Sequence, residues 1–401
     1  MIYNPEFIRK IPKTDLHLHL DGSLRIPTLI ELAKDNNVDI PSRTDDGLRE
    51  LIFKEKYASL DEYLKGFAVT CSVLQTADAL ERSSYELALD NFLEGVRYIE
   101  VRFAPQLHIN DSMDLEAVLQ AVDTGLKKAR TEINSRLQQD EPPFEYGIIV
   151  CAMRFCNEKF SAFYKNFFNI HKYSNKSDII KQLSLELARG CVHIRDNSDI
   201  QIVAFDLAGA EHGHPAEKHI DAYQYVHKNF MMKTVHAGEA YGPESIFQAI
   251  THLHADRIGH GLFLFSAEKI SDEKIIDKQE YINKLADYIA EKRITLEVCL
   301  TSNLQTVPEI KSYSMHPMKQ MLENKLSITL CTDNRLISNT SVCREIEIAV
   351  DNFNLTPDEL KNIVIYGYKR CFFHKPYHEK REYVRKMINY YEKIEKEYFA
   401  N

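Results

Sequence analysis

The chain has 401 residues, 44% hydrophobic and 27% charged, a globular composition that excludes disorder and fibre and supplies a sizeable core without covalent staples. Fifty Lys and Arg against 59 Asp and Glu leave a net charge of −9, which excludes the basic field that gathers nucleic acid or anionic lipid. Eight cysteines without a Cys-x-x-Cys pair point to reduced thiols and a cytoplasmic location. Residues 1–13 carry no apolar core of signal-peptide length, and no run approaches the roughly 18 apolar residues of a membrane span. The expected partners therefore include neither nucleic acid nor membrane, and oligomeric state is left open.

In chain order, short segments rich in β-branched and apolar residues fall at 14–20, 98–104, 146–153, 202–208, 233–237, 257–262, 295–300 and 327–332. Longer stretches of helical period separate most of them. At 243–254, Ile246, Phe247, Ile250 and Leu253 share one face, and Pro243 suits a first turn. The insert 25–94 reads as mainly helical and as part of a lid. The tail from 351 reads as helices, with 377–398 a solvated helix on the outside. No linker or repeat divides the sequence, so 1–401 is expected to be one domain. Eight strands alternating with helices predict an α/β fold, a (β/α)8 TIM barrel with extra helices, whose site lies at the C-terminal strand ends. An open doubly wound sheet is the alternative.

Candidate chemistry begins on the first strand, where Asp15, His17, His19 and Asp21 alternate with Leu16, Leu18 and Leu20 and so share a face. The pair alone proves little. With 16 histidines, chance gives roughly 0.6 His-x-His pairs, and His212/His214 and His252/His254 repeat the pattern as plain surface or supporting residues. What separates His17 and His19 is company at other strand ends: His236 and Glu239 in Val235-His236-Ala237-Gly238-Glu239, His260 in Ile258-Gly259-His260-Gly261, and Asp333 in Cys331-Thr332-Asp333-Asn334. Taken singly, each has a bland reading as a structural histidine or a helix cap. Jointly, three imidazoles and one carboxylate suit an ion such as Zn²⁺, which would lower the pKa of a bound water toward neutrality. Glu239, if buried and protonated, could give a proton to a ring nitrogen; otherwise it is a surface glutamate. Gly209 ends the fourth strand where a backbone could approach a flat ligand. Tyr241-Gly242-Pro243-Glu244-Ser245 lacks the spacing of a P-loop, which excludes triphosphate use.

These blocks resemble the adenosine deaminases. The similarity runs in order over about residues 10–345, through Thr14-Asp15-Leu16-His17-Leu18-His19-Leu20-Asp21-Gly22-Ser23, Glu100-Val101-Arg102-Phe103-Ala104-Pro105, Asp206-Leu207-Ala208-Gly209, His236-Ala237-Gly238-Glu239, Gly259-His260-Gly261, Leu296-Glu297-Val298-Cys299 and Thr332-Asp333. The resemblance implies one zinc held by His17, His19, His236 and Asp333, and hydrolytic deamination at purine C6. It further implies that Glu239 protonates N1, that His260 orients or deprotonates the attacking water, that Gly209 contacts N3 and that Asp21 meets a ribose hydroxyl.

Two positions depart from the family. Asn334 stands where a second aspartate usually contacts purine N7; an amide still donates a hydrogen bond but cannot titrate. Arg335 replaces a common proline and is read as a structural arginine rather than a 5′-group ligand. The implied function is deamination of adenosine, and of 2′-deoxyadenosine, in purine salvage. Alternatives are another 6-aminopurine (adenine, 5′-methylthioadenosine or an AMP-type substrate), a binuclear hydrolase on the same barrel, or a non-catalytic adenosine-binding homologue.

Overall fold

The computed structural model describes residues 3–399. Its eight strands are β1 (Lys13–His19), β2 (Val96–Phe103), β3 (Glu145–Met153), β4 (Ile202–Ala208), β5 (Met232–Ala237), β6 (Arg257–His260), β7 (Thr295–Val298) and β8 (Ser327–Leu330). Each pairs in parallel with the next in chain order. Just beyond β8 the chain returns to β1 through a parallel bridge between Leu18 and Asp333, where Asp333 N–H donates to His17 O and His19 N–H donates to Asp333 O, each at 2.8 Å. The expected (β/α)8 barrel is therefore the observed one. Every residue of β1, β2 and β4 is buried, as strands covered on both faces require.

The last three strands stop short of their predicted ends at 262, 300 and 332. β6 ends at His260, which has φ 65°, and β8 is followed by Asp333 at φ 59°, so the extended backbone is broken at both places. A helix, Leu300–Thr306, begins directly after β7. Leu262, Leu300 and Thr332 nevertheless remain buried, so apolar periodicity runs on past the strand without reporting the turn.

The insert after β1 is helical, as predicted, with helices Ile26–Asp35, Asp45–Leu51, Leu60–Val73 and Ala77–Leu93. Thr44, Ser59 and Thr76 cap the last three, each side chain accepting from a backbone N–H three residues on. Helix Pro243–Thr251 buries Ile246 and Ile250 but leaves Phe247 40% exposed against the Tyr281 ring, so the predicted apolar face is narrower than its sequence.

The tail has two roles. Helix Tyr377–Phe399 lies outside, burying a stripe of Tyr383, Met387, Tyr391 and Ile394. Helix Pro357–Arg370 instead closes the N-terminal end of the barrel: Tyr368 Oη donates to Lys13 O at 2.6 Å, Tyr98 Oη donates to Phe372 O at 2.8 Å, and the Arg257 guanidinium lies 3.7 Å from the Phe372 ring centre. No helix among the described residues is long and apolar enough to cross a membrane.

Helix Val342–Phe353 ties together the segments that follow β7 and β8 through buried Glu345, which accepts from Thr301 N–H at 3.2 Å and from Thr340 Oγ1 at 2.6 Å. Burial pushes its carboxyl up to about 7. Below the unfolded value of 4.5 both states hold the proton; between there and about 7 only the unfolded chain has lost it, so native stability falls as pH rises across that window. The loss amounts to about 3 kcal/mol. Glu345→Gln is expected to flatten this part of the pH dependence in denaturant titrations; an unchanged slope would contradict the assignment.

Candidate active site

The C-terminal ends of β1, β5 and β6 and the segment that follows β8 bring His17, His19, His236, His260 and Asp333 together. Ligand atoms of His17, His236, His260 and Asp333 all lie within 4.8 Å of one another. His19 Nε2 stands 3.4 Å from Asp333 Oδ1 and 3.2 Å from His236 Nε2, and His17 Nε2 is 3.4 Å from the same Asp333 oxygen. All five residues are buried. His260 and Asp333 pay for their inward aim with a left-handed backbone, a cost of about 1–2 kcal/mol each that the barrel must overcome.

Beneath them lies a layer of buried charge. Arg102 donates to Asp206 Oδ2 at 3.0 Å, to Glu297 Oε2 at 2.8 Å and to Leu16 O at 2.6 Å. Arg257 donates to Glu297 Oε1 at 2.6 Å and pairs with Glu100, while Thr234 Oγ1 adds a bond to Glu297 at 3.0 Å. Burial alone would push both acids up. Instead His236 and Arg102 hold Asp206, and Arg102 and Arg257 hold Glu297, well below the usual carboxylate range. Both acids are therefore acceptors only. His17 Nδ1, 2.8 Å from Glu297 Oε2, and His236 Nδ1, 3.0 Å from Asp206 Oδ2, must carry the protons. Their Nε2 atoms then point inward, and burial pushes the His19 imidazolium well down.

Around this centre, Glu239 is half-buried with Oε1 3.9 Å from His260 Nε2. Its loop is held by Glu211, whose carboxylate accepts the backbone N–H groups of Gly238, Glu239, Ala240 and Tyr241 at 2.7–3.1 Å. A cavity of about 910 Å³ is lined in part by Leu64, Phe67, Met153, Phe155, Lys159 and Gly209, and its Phe67 ring lies edge-on to His19 with ring centres 6.2 Å apart. Gly209 sits at φ 94°, a conformation that favours glycine. His212 is exposed and His214 partly exposed, both at the lining of this cavity, and His252 and His254 are exposed, as the surface or supporting reading expected.

Asp21 is buried, its Oδ1 has no hydrogen-bond partner, and burial pushes its carboxyl up to about 7. Asn334 Nδ2 donates to Tyr63 Oη at 2.8 Å, which leaves its second amide hydrogen available and its Oδ1 unpaired. Arg335 is occupied elsewhere: its guanidinium pairs with Glu94 and its backbone N–H donates to Ser23 Oγ at 3.0 Å, as the structural reading expected.

The adenosine deaminase family model matches residues 12–179 and 170–390. The chain belongs to the adenosine deaminase family. "Adenosine deaminase 1" of Streptomyces coelicolor is 34% identical over 96% of this chain and 88% of its own length. The adenosine deaminase of Mycobacterium ulcerans is 33% identical over 91% of each. Among solved structures, an amidohydrolase from Burkholderia ambifaria with bound Zn shares the fold at a TM-score of 0.78 and 19% identity, covering 99% of this chain and 95% of that one.

For this family member, sequence reasoning missed the parts that hold the site from behind. Glu211 was assigned no role. Asn303, whose Nδ2 lies 3.0 Å from His260 Nδ1, and Ser302, whose Oγ donates to Asp333 Oδ2 at 2.6 Å, carried no motif. Neither residue had a spacing in the sequence that could have marked it.

Close backbone approach also fixes His17: a Cβ on Gly259 would lie 2.9 Å from His17 Cε1 and 3.3 Å from His17 Nδ1. Gly259→Ala is expected to displace the ring from Glu297 and to weaken divalent-metal binding by about 10- to 100-fold while circular dichroism is unchanged. Wild-type metal affinity in this variant would show that the ring has no such constraint.

Proposed function

We propose that this chain is a zinc-dependent hydrolytic deaminase that converts adenosine, and 2′-deoxyadenosine, to inosine products and ammonia in purine salvage. The observation that carries this reading is the convergence of buried imidazole nitrogens on one carboxylate oxygen. His17 Nε2 is buried, has no hydrogen-bond partner and faces Asp333 Oδ1 at 3.4 Å, an arrangement that a cation held between them would satisfy. His19, His236 and Asp333 complete a donor set of three imidazoles and one carboxylate, which fits one Zn²⁺ per chain. A bound zinc supplies a nucleophilic water at neutral pH.

The chain's own residues would do the rest. Glu239 delivers a proton to purine N1, and His260 faces the same space from the end of the neighbouring strand. Gly209 admits the flat ring and contacts N3, Asn334 offers its free amide hydrogen to N7, and the unpaired Asp21 oxygen accepts a ribose hydroxyl. Addition of water at C6 and loss of the exocyclic amine as ammonia give inosine.

The cavity lining supports a neutral nucleoside over a nucleotide, because among the described lining residues Lys159 is the single Lys or Arg and Arg154 is turned to His214 O and His236 O. The apolar wall of Leu64, Phe67, Met153 and Phe155 favours, as a second reading, a nucleoside with an apolar 5′ group such as 5′-methylthioadenosine. The binuclear alternative loses support because Asp206 is taken by Arg102 and His236.

With zinc-loaded protein, adenosine absorbance should be lost as inosine forms, and His17→Ala and Glu239→Gln should each lower kcat/KM by at least about 100-fold. A marked preference for adenine or AMP would overturn the substrate assignment. Full zinc retention with no ammonia from any 6-aminopurine would instead favour a binding protein.

A further inference from the structure

His17 and His236 are each backed by a carboxylate, but His260 is backed by an amide, and the difference decides which of its nitrogens carries the proton. The argument starts at a donor that cannot be reassigned, the backbone N–H of Met318, which lies 3.1 Å from His316 Nδ1. His316 Nδ1 must therefore accept, and the proton of the neutral ring sits on Nε2. Burial pushes the His316 imidazolium down to about 3, so the ring is neutral at working pH. His316 Nε2 then donates to Asn303 Oδ1 at 3.2 Å, which orients the amide. Asn303 Nδ2 in turn donates to His260 Nδ1 at 3.0 Å. With Nδ1 accepting, the proton of a neutral His260 ring is on Nε2, the nitrogen that faces Glu239 at 3.9 Å. Reversing the Asn303 amide would set its N–H₂ against the His316 N–H, so the direction of the chain is fixed from its origin.

We propose that Met318 N–H, His316 and Asn303 form a one-way hydrogen-bond relay that holds His260 as an Nε2–H donor into the active site. His316 and Asn303 are positioning residues for the proposed deamination. His260 belongs to the geometric cluster with His17, His236 and Asp333, yet its inward nitrogen bears hydrogen and offers no lone pair to an ion or to a proton. It serves instead to orient the attacking oxygen by donation, and the alternative role as the base that deprotonates water is excluded in this tautomer. The relay uses no cavity-lining side chain, so it acts on the chemical step rather than on binding. Its role in turnover rests on the deaminase reading; its proton arrangement does not.

Two measurements test it. In protein labelled with ¹⁵N-histidine, the His260 signals, identified by their loss in His260→Gln, should show a protonated Nε2 and an unprotonated Nδ1. Asn303→Asp keeps the shape but replaces the donor with an acceptor. It should move the His260 proton to Nδ1 and lower kcat by about 10- to 100-fold with KM changed less than about threefold. His316→Gln, which can accept from Met318 and donate to Asn303, should retain kcat within about threefold, whereas His316→Phe should not. A wild-type His260 protonated on Nδ1, or an Asn303→Asp variant with undiminished kcat, would overturn the proposal. The wild-type spectrum decides even where a variant fails to fold. The expected tautomer in a protein that deaminates no aminopurine would leave the relay standing and remove the functional reading alone.

Discussion

The site depends on a single buried cation. Arg102 reaches from β2 across the barrel to Asp206 on β4 and Glu297 on β7, and these two acids, held ionised by Arg102 together with His236 and Arg257, set the Nδ1 protons of His236 and His17. Two anions this deep would otherwise take up protons, and a protonated acid could not enforce the tautomer above it. Removing one partner from such a buried pair costs about 3–5 kcal/mol. Arg257 reinforces Glu297 from the N-terminal end, where the tail segment after helix Pro357–Arg370 stacks Phe372 on its guanidinium. The distal C-terminal chain is thereby coupled to the chemistry through three side chains.

Above the charge layer, direction is assigned ring by ring. An acceptor behind an imidazole leaves its inward nitrogen bare, as at His17 and His236, and a donor behind it leaves that nitrogen protonated, as at His260. One barrel rim thus offers lone pairs toward Asp333 on one side and a hydrogen-bond donor beside Glu239 on the other. The loop that carries Glu239 is fixed by a third device, the four backbone N–H groups gathered on the Glu211 carboxylate. Binding and proton handling share one rim because separate elements orient each group.

Much of this was legible in the sequence because the barrel writes its functional residues at strand ends. The alternation of His17 and His19 with leucines gave their common face, and His236, His260 and Asp333 each followed a short apolar run. The strand ends at β6, β7 and β8 were overrun because Leu262, Leu300 and Thr332 stay buried after the backbone has turned. Phe247 misled because helical period does not record how wide a face its neighbours cover. Glu211, Asn303 and His316 were not legible at all: each works through partners distant in sequence, and an isolated polar residue has no spacing to betray it.

The most direct test is a structure of the zinc-loaded protein with data collected at the zinc absorption edge. The account predicts one ion per chain, bonded at about 2.0–2.2 Å to Nε2 of His17, His19 and His236 and to Asp333, with the Nδ1 atoms of His17 and His236 still on Glu297 and Asp206. An ion bound by His260 in place of His19, an ion on Asp206 or Glu297, or two ions in the site would contradict it.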